Sequence, residues 1–267
     1  MSSKPIIRTD GLSKRFETVH AVKDVDFSAA EGEIMAVVGD NGAGKSTLIE
    51  MLCGVLKPTD GDVFLRGERV EFDDYNDAQE AGIGTVYQDL ALAESQSVAA
   101  NIFLGNEPTK AGLAGRLGLV DEREMATEAS AILEQVKIPV DPHAAVRSLS
   151  GGQQQAVAIA RALQFDPEIL IMDEPTSALS IEGVRNVLNV VNDLRERGIT
   201  IVLISHNIEE VLGIADRITV LHQGELMGVL DADDADREDI VLLMMGGSED
   251  DQVEEITEAG AEEGSTA

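Results

Sequence analysis

Behind the apolar run Ile34–Val38 stands Gly39-Asp40-Asn41-Gly42-Ala43-Gly44-Lys45-Ser46-Thr47. A glycine, four residues, then Gly-Lys-Ser is the spacing of a loop that wraps a polyphosphate. Glycines let successive main-chain N–H groups converge on one point, where a Cβ would obstruct them. The helix that follows opens with unpaired N–H groups and the positive end of its dipole, which stabilise an anion. Lys45 has the reach for β- and γ-phosphates, and the Ser46 hydroxyl suits Mg²⁺. A glycine turn beside a surface lysine is the plainer reading. The strand before and the helix after favour the nucleotide.

A second group lies downstream. Ile169-Leu170-Ile171-Met172 reads as a buried parallel strand, and it ends on Asp173-Glu174-Pro175. Carboxylates at the end of such a strand are costly unless something binds them. One is suited to Mg²⁺ or its waters, the other to a nucleophilic water, while helix capping is the bland alternative. Ile199–Ile204 is another apolar strand, delivering Ser205-His206 to the same kind of edge. The strand Gly84–Tyr87 delivers Gln88, which by itself reads as an ordinary loop amide. Ser150-Gly151-Gly152-Gln153 has the capping-box pattern at a helix start. It is either a well-capped helix or an N-terminus cleared of side chains so that an anion can approach. Phe16 is either core or a platform for an adenine ring.

The elements that must hold these groups follow from patterning. Residues 6–27 alternate apolar and polar positions, which predicts antiparallel strands with Asp10 and Gly11 as turn signals. Asp62–Gly67 continues the strand pattern, and a helix over residues 45–53 ends at Gly54. Between Leu90 and Leu163 the character is helical, with Met125, Ala129, Ile132, Leu133 and Val136 at helix spacing. Glycines at 105, 112, 115 and 118 mark a long loop within that block. Ala156, Ile159, Ala160 and Leu163 predict one apolar stripe; Ile181, Val184, Leu188, Val191 and Leu194 predict another on a helix ended by Gly198. Strands at Arg217–His222 and Glu225–Leu230 and a helix near 236–245 close the fold. The expected class is α/β: a P-loop NTPase core with a mostly parallel sheet, an N-terminal antiparallel β subdomain and an inserted helical subdomain at about 90–163. One domain over 1–246 is expected, followed by an acidic, disordered tail at 247–267.

Composition narrows the class. The chain has 267 residues, 43% of them hydrophobic, with mean hydropathy near zero. No run approaches the length of an uncharged membrane span, and no signal-peptide pattern opens the chain. One cysteine excludes an internal disulfide, and four scattered histidines argue against structural zinc. The expected compartment is cytoplasmic. Net charge is −30; residues 248–267 carry eight acids and no base, leaving −22 on the body. Self-repulsion on that scale destabilises a compact state unless salt screens it, which predicts a halophilic setting. It also argues against nucleic-acid binding through phosphate contacts.

In order, GDNGAGKST at 39–47, Gln88, LSGGQ at 149–153, ILIMDE at 169–174 and His206 resemble the nucleotide-binding subunits of ATP-binding cassette (ABC) transporters, over about residues 5–246. The resemblance implies ATP and Mg²⁺ as cofactors. Gly39 to Thr47, with Asp40, Asn41, Gly42, Ala43, Gly44 and Lys45 between, would hold the phosphates, and Phe16 would stack on adenine. Ser46, Gln88 and Asp173 would serve Mg²⁺. Glu174 would be the general base, Gln88 would approach the attacking water, and His206 would sense the γ-phosphate. Ser150, Gly151, Gly152 and Gln153 would close on ATP held by a second subunit, either a homodimer partner or another cassette.

Ser177-Ala178-Leu179-Ser180 departs from the family, since many cassettes have aspartate where Ser180 stands. A non-acidic residue there, Val86–Leu92 and Asn101–Gly105 are similar to the sugar-uptake branch serving ribose, xylose and fructose. Implied partners are transmembrane permease subunits and, indirectly, an extracytoplasmic solute-binding protein, placing the chain at the cytoplasmic face of the membrane. The same engine for nucleosides or another small solute is the near alternative. A soluble cassette acting on ribosomes or DNA is the alternative from a different class.

Overall fold

A computed structural model describes residues 4–247; the acidic tail expected from 247 onward lies, beyond its first residue, outside the described residues. In chain order the elements are β1 (Pro5–Phe16), β2 (Val19–Val25), β3 (Ser28–Ala30), β4 (Ile34–Val38), α1 (Lys45–Leu52), β5 (Asp60–Leu65), β6 (Glu68–Val70), α2 (Tyr75–Glu80) and β7 (Ile83–Val86). Then follow α3 (Val98–Ile102), α4 (Leu113–Arg116), α5 (Glu122–Val136), α6 (Gly151–Leu163), β8 (Ile169–Asp173), α7 (Ile181–Glu196) and β9 (Thr200–Ile204). The chain continues through α8 (Ile208–Leu212), β10 (Arg217–His222), β11 (Glu225–Asp231) and α9 (Arg237–Met244). Two compact units emerge. One is drawn from residues 4–30, Ile34–Glu71 and 204–247, the other from Glu31–Glu33 and Phe72–Leu203.

In the first unit an antiparallel sheet runs β2-β1-β5-β6, with β3 also paired to β1. Asp10 and Gly11 do not turn the chain. They lie inside β1, where Gly11 takes φ +59 and the pairing register shifts on both neighbouring strands. A strand paired on both sides absorbs the extra residue as a bulge rather than reversing. The reversal comes later, at Glu17 (φ +49) between β1 and β2. In the same unit β10 pairs β4 in parallel and β11 antiparallel. Ala36, Val38, Val211, Ile218, Val220, Ile240 and Leu243 form its core, below 3% exposed. All five residues of β4 are buried, as a strand covered on both faces requires.

In the second unit β7 pairs β8 in parallel, and β8 lies between β7 and β9. Helices α5 and α6 fall where patterning placed them, α3 is an additional short helix, and Asp121 caps α5 through the Glu124 N–H. The glycine-marked loop contains a short helical turn, α4, and is closed by a bridge between Thr109 and Val120. Helix α6 is buried nearly all round: Gln155 to Ala160, Ala162 and Leu163 are all buried. A single stripe underestimates it because the helix has packing partners on several sides. The buried face of α7 is Gly183, Val187, Val190, Val191 and Leu194, while Ile181 is 84% exposed. Ile181 immediately follows the cap, Ser180, and glycine takes the inward position instead.

Candidate functional site

Strand β4 drives the chain into the glycine loop of the first unit, and geometry there fixes the residue types. Gly39 sits at φ +154, and a Cβ on it would overlap the Leu221 carbonyl oxygen and lie 2.9 Å from Ala43 Cβ. Gly44 sits at φ +101, where a Cβ would overlap the Ala21 carbonyl oxygen. The loop is therefore pressed on the main chain of its own unit, and only glycine fits. Gly42 (φ +84) faces open space. Asp40 O accepts the Ala43 N–H at 3.0 Å, tightening the turn. Asp40, Asn41 and Ser46 are exposed; Ala43 is buried.

Helix α1 opens at Gly44 with no side-chain cap and no acid in its first turn. The starts of α2, α3, α5, α6, α7, α8 and α9 are each capped by a serine, aspartate or asparagine. A helix end without such a cap directs its N–H groups and positive dipole end at a ligand. Lys45 is 7% exposed, and its Nζ donates to Gly39 O (2.7 Å) and Asp40 O (3.1 Å). The lysine ties two of the loop's carbonyls and places a cation beside it. Thr47 follows in the first turn, partly buried. Phe16 ends β1 opposite Val19, 44% exposed, with Lys14 Nζ 5.3 Å from its ring centroid. An exposed aromatic at a strand end offers a stacking face. His206 is exposed just beyond β9, followed by Asn207, whose side chain caps α8.

In the second unit, strand register brings two of the expected residues together. Val86 pairs with Met172, so Gln88 and Glu174, each two residues on, leave the sheet side by side. Gln88 Nε2 donates to Glu174 Oε2 at 3.3 Å. Glu174 is half-buried at φ +46, a left-handed backbone that costs a non-glycine residue about 1–3 kcal/mol and tends to mark functional positions. Asp173, also half-buried, is the last residue of β8.

The same unit contains the start of α6. Ser150 accepts the Gln153 N–H, and Gln153 Oε1 accepts the Ser150 N–H at 3.0 Å, completing the expected capping box. The Gln153 amide is further engaged, Nε2 donating to Pro139 O at 3.3 Å. A Cβ on Gly151 would come 3.1 Å from Leu179 Cδ2, and one on Gly152 would come 3.4 Å from Gly183 Cα. These glycines thus seat α6 against the start of α7 as well as leaving its N-terminus accessible. Among the described residues no group of three or more His, Cys, Asp or Glu side chains is gathered for a metal. In this unit Asp173 and Gln88 offer a carboxylate and an amide oxygen, donors of the kind that suit Mg²⁺, which takes its remaining ligands from water and phosphate.

Sequence reasoning missed Asn101 and Arg161. Asn101 is fully buried and Arg161 lies in the apolar run of α6. A lone polar residue inside an apolar helix pattern was the available signal.

Residues 22–177 match the family model described as ABC transporter. The fructose import ATP-binding protein of Rhizobium meliloti is 42% identical over 252 residues, covering 93% of this chain and 97% of that protein. A ribose import ATP-binding protein of Rubrobacter xylanophilus is 42% identical over 243 residues, covering 91% of this chain and 48% of that protein. The chain therefore spans about half the length of the ribose-import relatives it matches. Among solved structures, the ADP conformation of an ATP-binding cassette of an ABC transporter superposes with TM-score 0.78 at 28% identity, covering 91% of this chain and 96% of that one. A dimeric bacterial ABC transporter cassette gives 0.71 at 26% identity, covering 85% and 98%. With a phosphate loop of this geometry, paired Gln88 and Glu174, and matches of this extent, the chain belongs to the ABC transporter family, among its ATP-binding cassettes.

Proposed function

We propose that this chain binds and hydrolyses ATP to power a membrane importer for a monosaccharide. The carrying observation is the start of α1: uncapped, without acid in its first turn, and preceded by glycines that tolerate no Cβ, with buried Lys45 beside them. That arrangement stabilises an anion, and its glycine, lysine and serine spacing suits a polyphosphate. The sugar follows from relatives that are named for fructose and ribose import.

In this reading Gly39 to Thr47 grip the phosphates and Phe16 carries the adenine. The oxygen donors for Mg²⁺ are Ser46, Gln88 and Asp173, and the ion, when bound, neutralises charge on the transferring phosphoryl group. Glu174 accepts the proton of the attacking water, and Gln88, hydrogen-bonded to it, orients that water. His206 contacts the γ-phosphate. Ser150 to Gln153 of one copy close on nucleotide held by a second copy or a paired cassette, a scheme supported by the dimeric neighbour. Residues 1–246 act as one ATPase domain whose helical part, 90–163, meets transmembrane permease subunits at the cytoplasmic face. An extracytoplasmic solute-binding protein supplies the sugar. No helix among the described residues is long and apolar enough to cross a membrane. The charge of −30 adapts the chain to a salt-rich cytoplasm.

The test is purification of the tagged chain from its own membranes, followed by ATPase assay and labelled-sugar uptake. Association with a polytopic membrane protein and loss of ribose or fructose uptake on its deletion are expected. ATP hydrolysis with ribosome co-sedimentation and no membrane partner would reject the transport assignment.

A further inference from the structure

We propose that Arg161, with Asn101, positions the loop that carries Gln88 and so sets Gln88 on Glu174. The inference rests on the ATPase reading above and assigns its geometry to two residues outside the recognised motifs. After β7 ends at Val86, the chain has no regular structure until α3, so its shape depends on what grips it. Arg161 Nη2 donates to Leu90 O at 2.8 Å, and Nη1 to Ala91 O at 3.4 Å. These carbonyls lie two and three residues beyond Gln88. Ala91 is at the bend itself, with φ +46, and its N–H is taken by Asp89 Oδ1 at 3.1 Å.

Two residues further, Asn101 of α3 takes hold. Its Oδ1 accepts the Ala93 N–H at 2.7 Å, and its Nδ2 donates to Ala93 O (3.1 Å) and Ser97 O (2.9 Å). Residues 90–93 are thus held by one helix on each side of the bend. Burial pushes the Arg161 pKa below its usual value, opposed by the nearby Tyr75. Hydrogen bonds from the guanidinium to the two carbonyls are charge-assisted, so they offset part of that desolvation and fix the loop at once. A planar guanidinium presents its N–H donors in a fixed fork, which orients both carbonyls where the rotatable donors of an ammonium would not.

The geometry has a mechanical corollary. Arg161 lies eleven residues along α6 from its cap at Ser150, roughly 16 Å at helical rise. A displacement at the Ser150 end therefore reaches the Gln88 loop through a single rigid element.

The experiment compares Arg161→Met and Arg161→Lys in the full chain, alone and combined with Gln88→Ala. For Arg161→Met, kcat should fall about tenfold, the scale of a charge-assisted hydrogen bond, with KM for ATP unchanged within about twofold. Arg161→Lys should recover part of the loss. In the Gln88→Ala background, Arg161→Met should lower kcat less than about twofold further, because the two act through one group. Equal factors in both backgrounds, or a raised KM with kcat intact, would overturn the proposal. A second readout needs no turnover. The chain has no tryptophan and two tyrosines, Tyr75 and Tyr87, whose rings lie 6.4 Å apart with Tyr87 next to Gln88. Acrylamide quenching of tyrosine emission should increase in Arg161→Met without nucleotide; unchanged quenching would overturn the clamp. Should the wild type hydrolyse no ATP, the functional reading falls and the quenching comparison still decides this one.

Discussion

Replacing Gly44 by alanine tests the phosphate loop at its tightest point. At φ +101 an L-residue carries strain of about 1–3 kcal/mol. The new Cβ would also sit closer than 3.0 Å to the Ala21 carbonyl oxygen. Ala21 lies in β2, whose neighbours His20 and Val22 pair with Arg15 and Lys14 of β1, so that oxygen is not free to retreat. Overpacking of this kind costs a further ~1–3 kcal/mol. Gly42→Ala is the matched control: φ is +84, but nothing lies within 4 Å, so only the strain applies. A loss of ~2–6 kcal/mol lowers the unfolding midpoint by about 4–24 °C at the scale of a chain of this size. Thermal unfolding followed by circular dichroism, with and without MgATP, is the assay. Nucleotide at about 100 times Kd should stabilise the wild type by ~2.7 kcal/mol, and Gly44→Ala should lose most of that gain. A Gly44→Ala midpoint equal to or above that of Gly42→Ala would refute the argument from the Ala21 carbonyl.

Lys45→Ala should weaken MgATP binding measured by titration calorimetry, because both the cation and the staple on Gly39 O and Asp40 O are lost; unchanged affinity would count against the cradle. Glu174→Gln should retain nucleotide binding and lower turnover by roughly 10²–10⁴, the usual loss of a general base; near-normal phosphate release would remove Glu174 from that role. The unfolding midpoint should rise between low and molar KCl, since a charge of −30 repels itself until screened; a flat response would reject the high-salt assignment.

How far the sequence reached depends on the range of the interaction concerned. The phosphate loop, the β8 carboxylates and the Ser150 capping box are local patterns, and the structure puts each where its spacing implied. Period-2 and period-3.6 signals placed β10, β11 and α9 nearly to the residue. Non-local pairing was the hidden part. Asp10-Gly11 reads as a turn unless one knows that β1 is held on two sides. The face of α7 is displaced because Gly183, which carries no hydrophobic signal, is the residue packed against Leu179. The Gln88–Glu174 contact required the β7–β8 register, and the Arg161 grip required knowing where Leu90 and Ala91 pass α6.

The uncapped start of α1 bears on how a chain with a net charge of −30 can hold an anion. Its first turn holds no acid, whereas that of α7, which Gly183 seats against Gly152 of α6, holds Glu182. Attraction made from main chain at contact distance is felt inside a Debye length even in concentrated electrolyte, where distant surface lysines would be silenced. Were salt to rise, the main-chain N–H groups at the start of α1 would keep their pull on an anion while longer-range repulsion from the acidic exterior fell away.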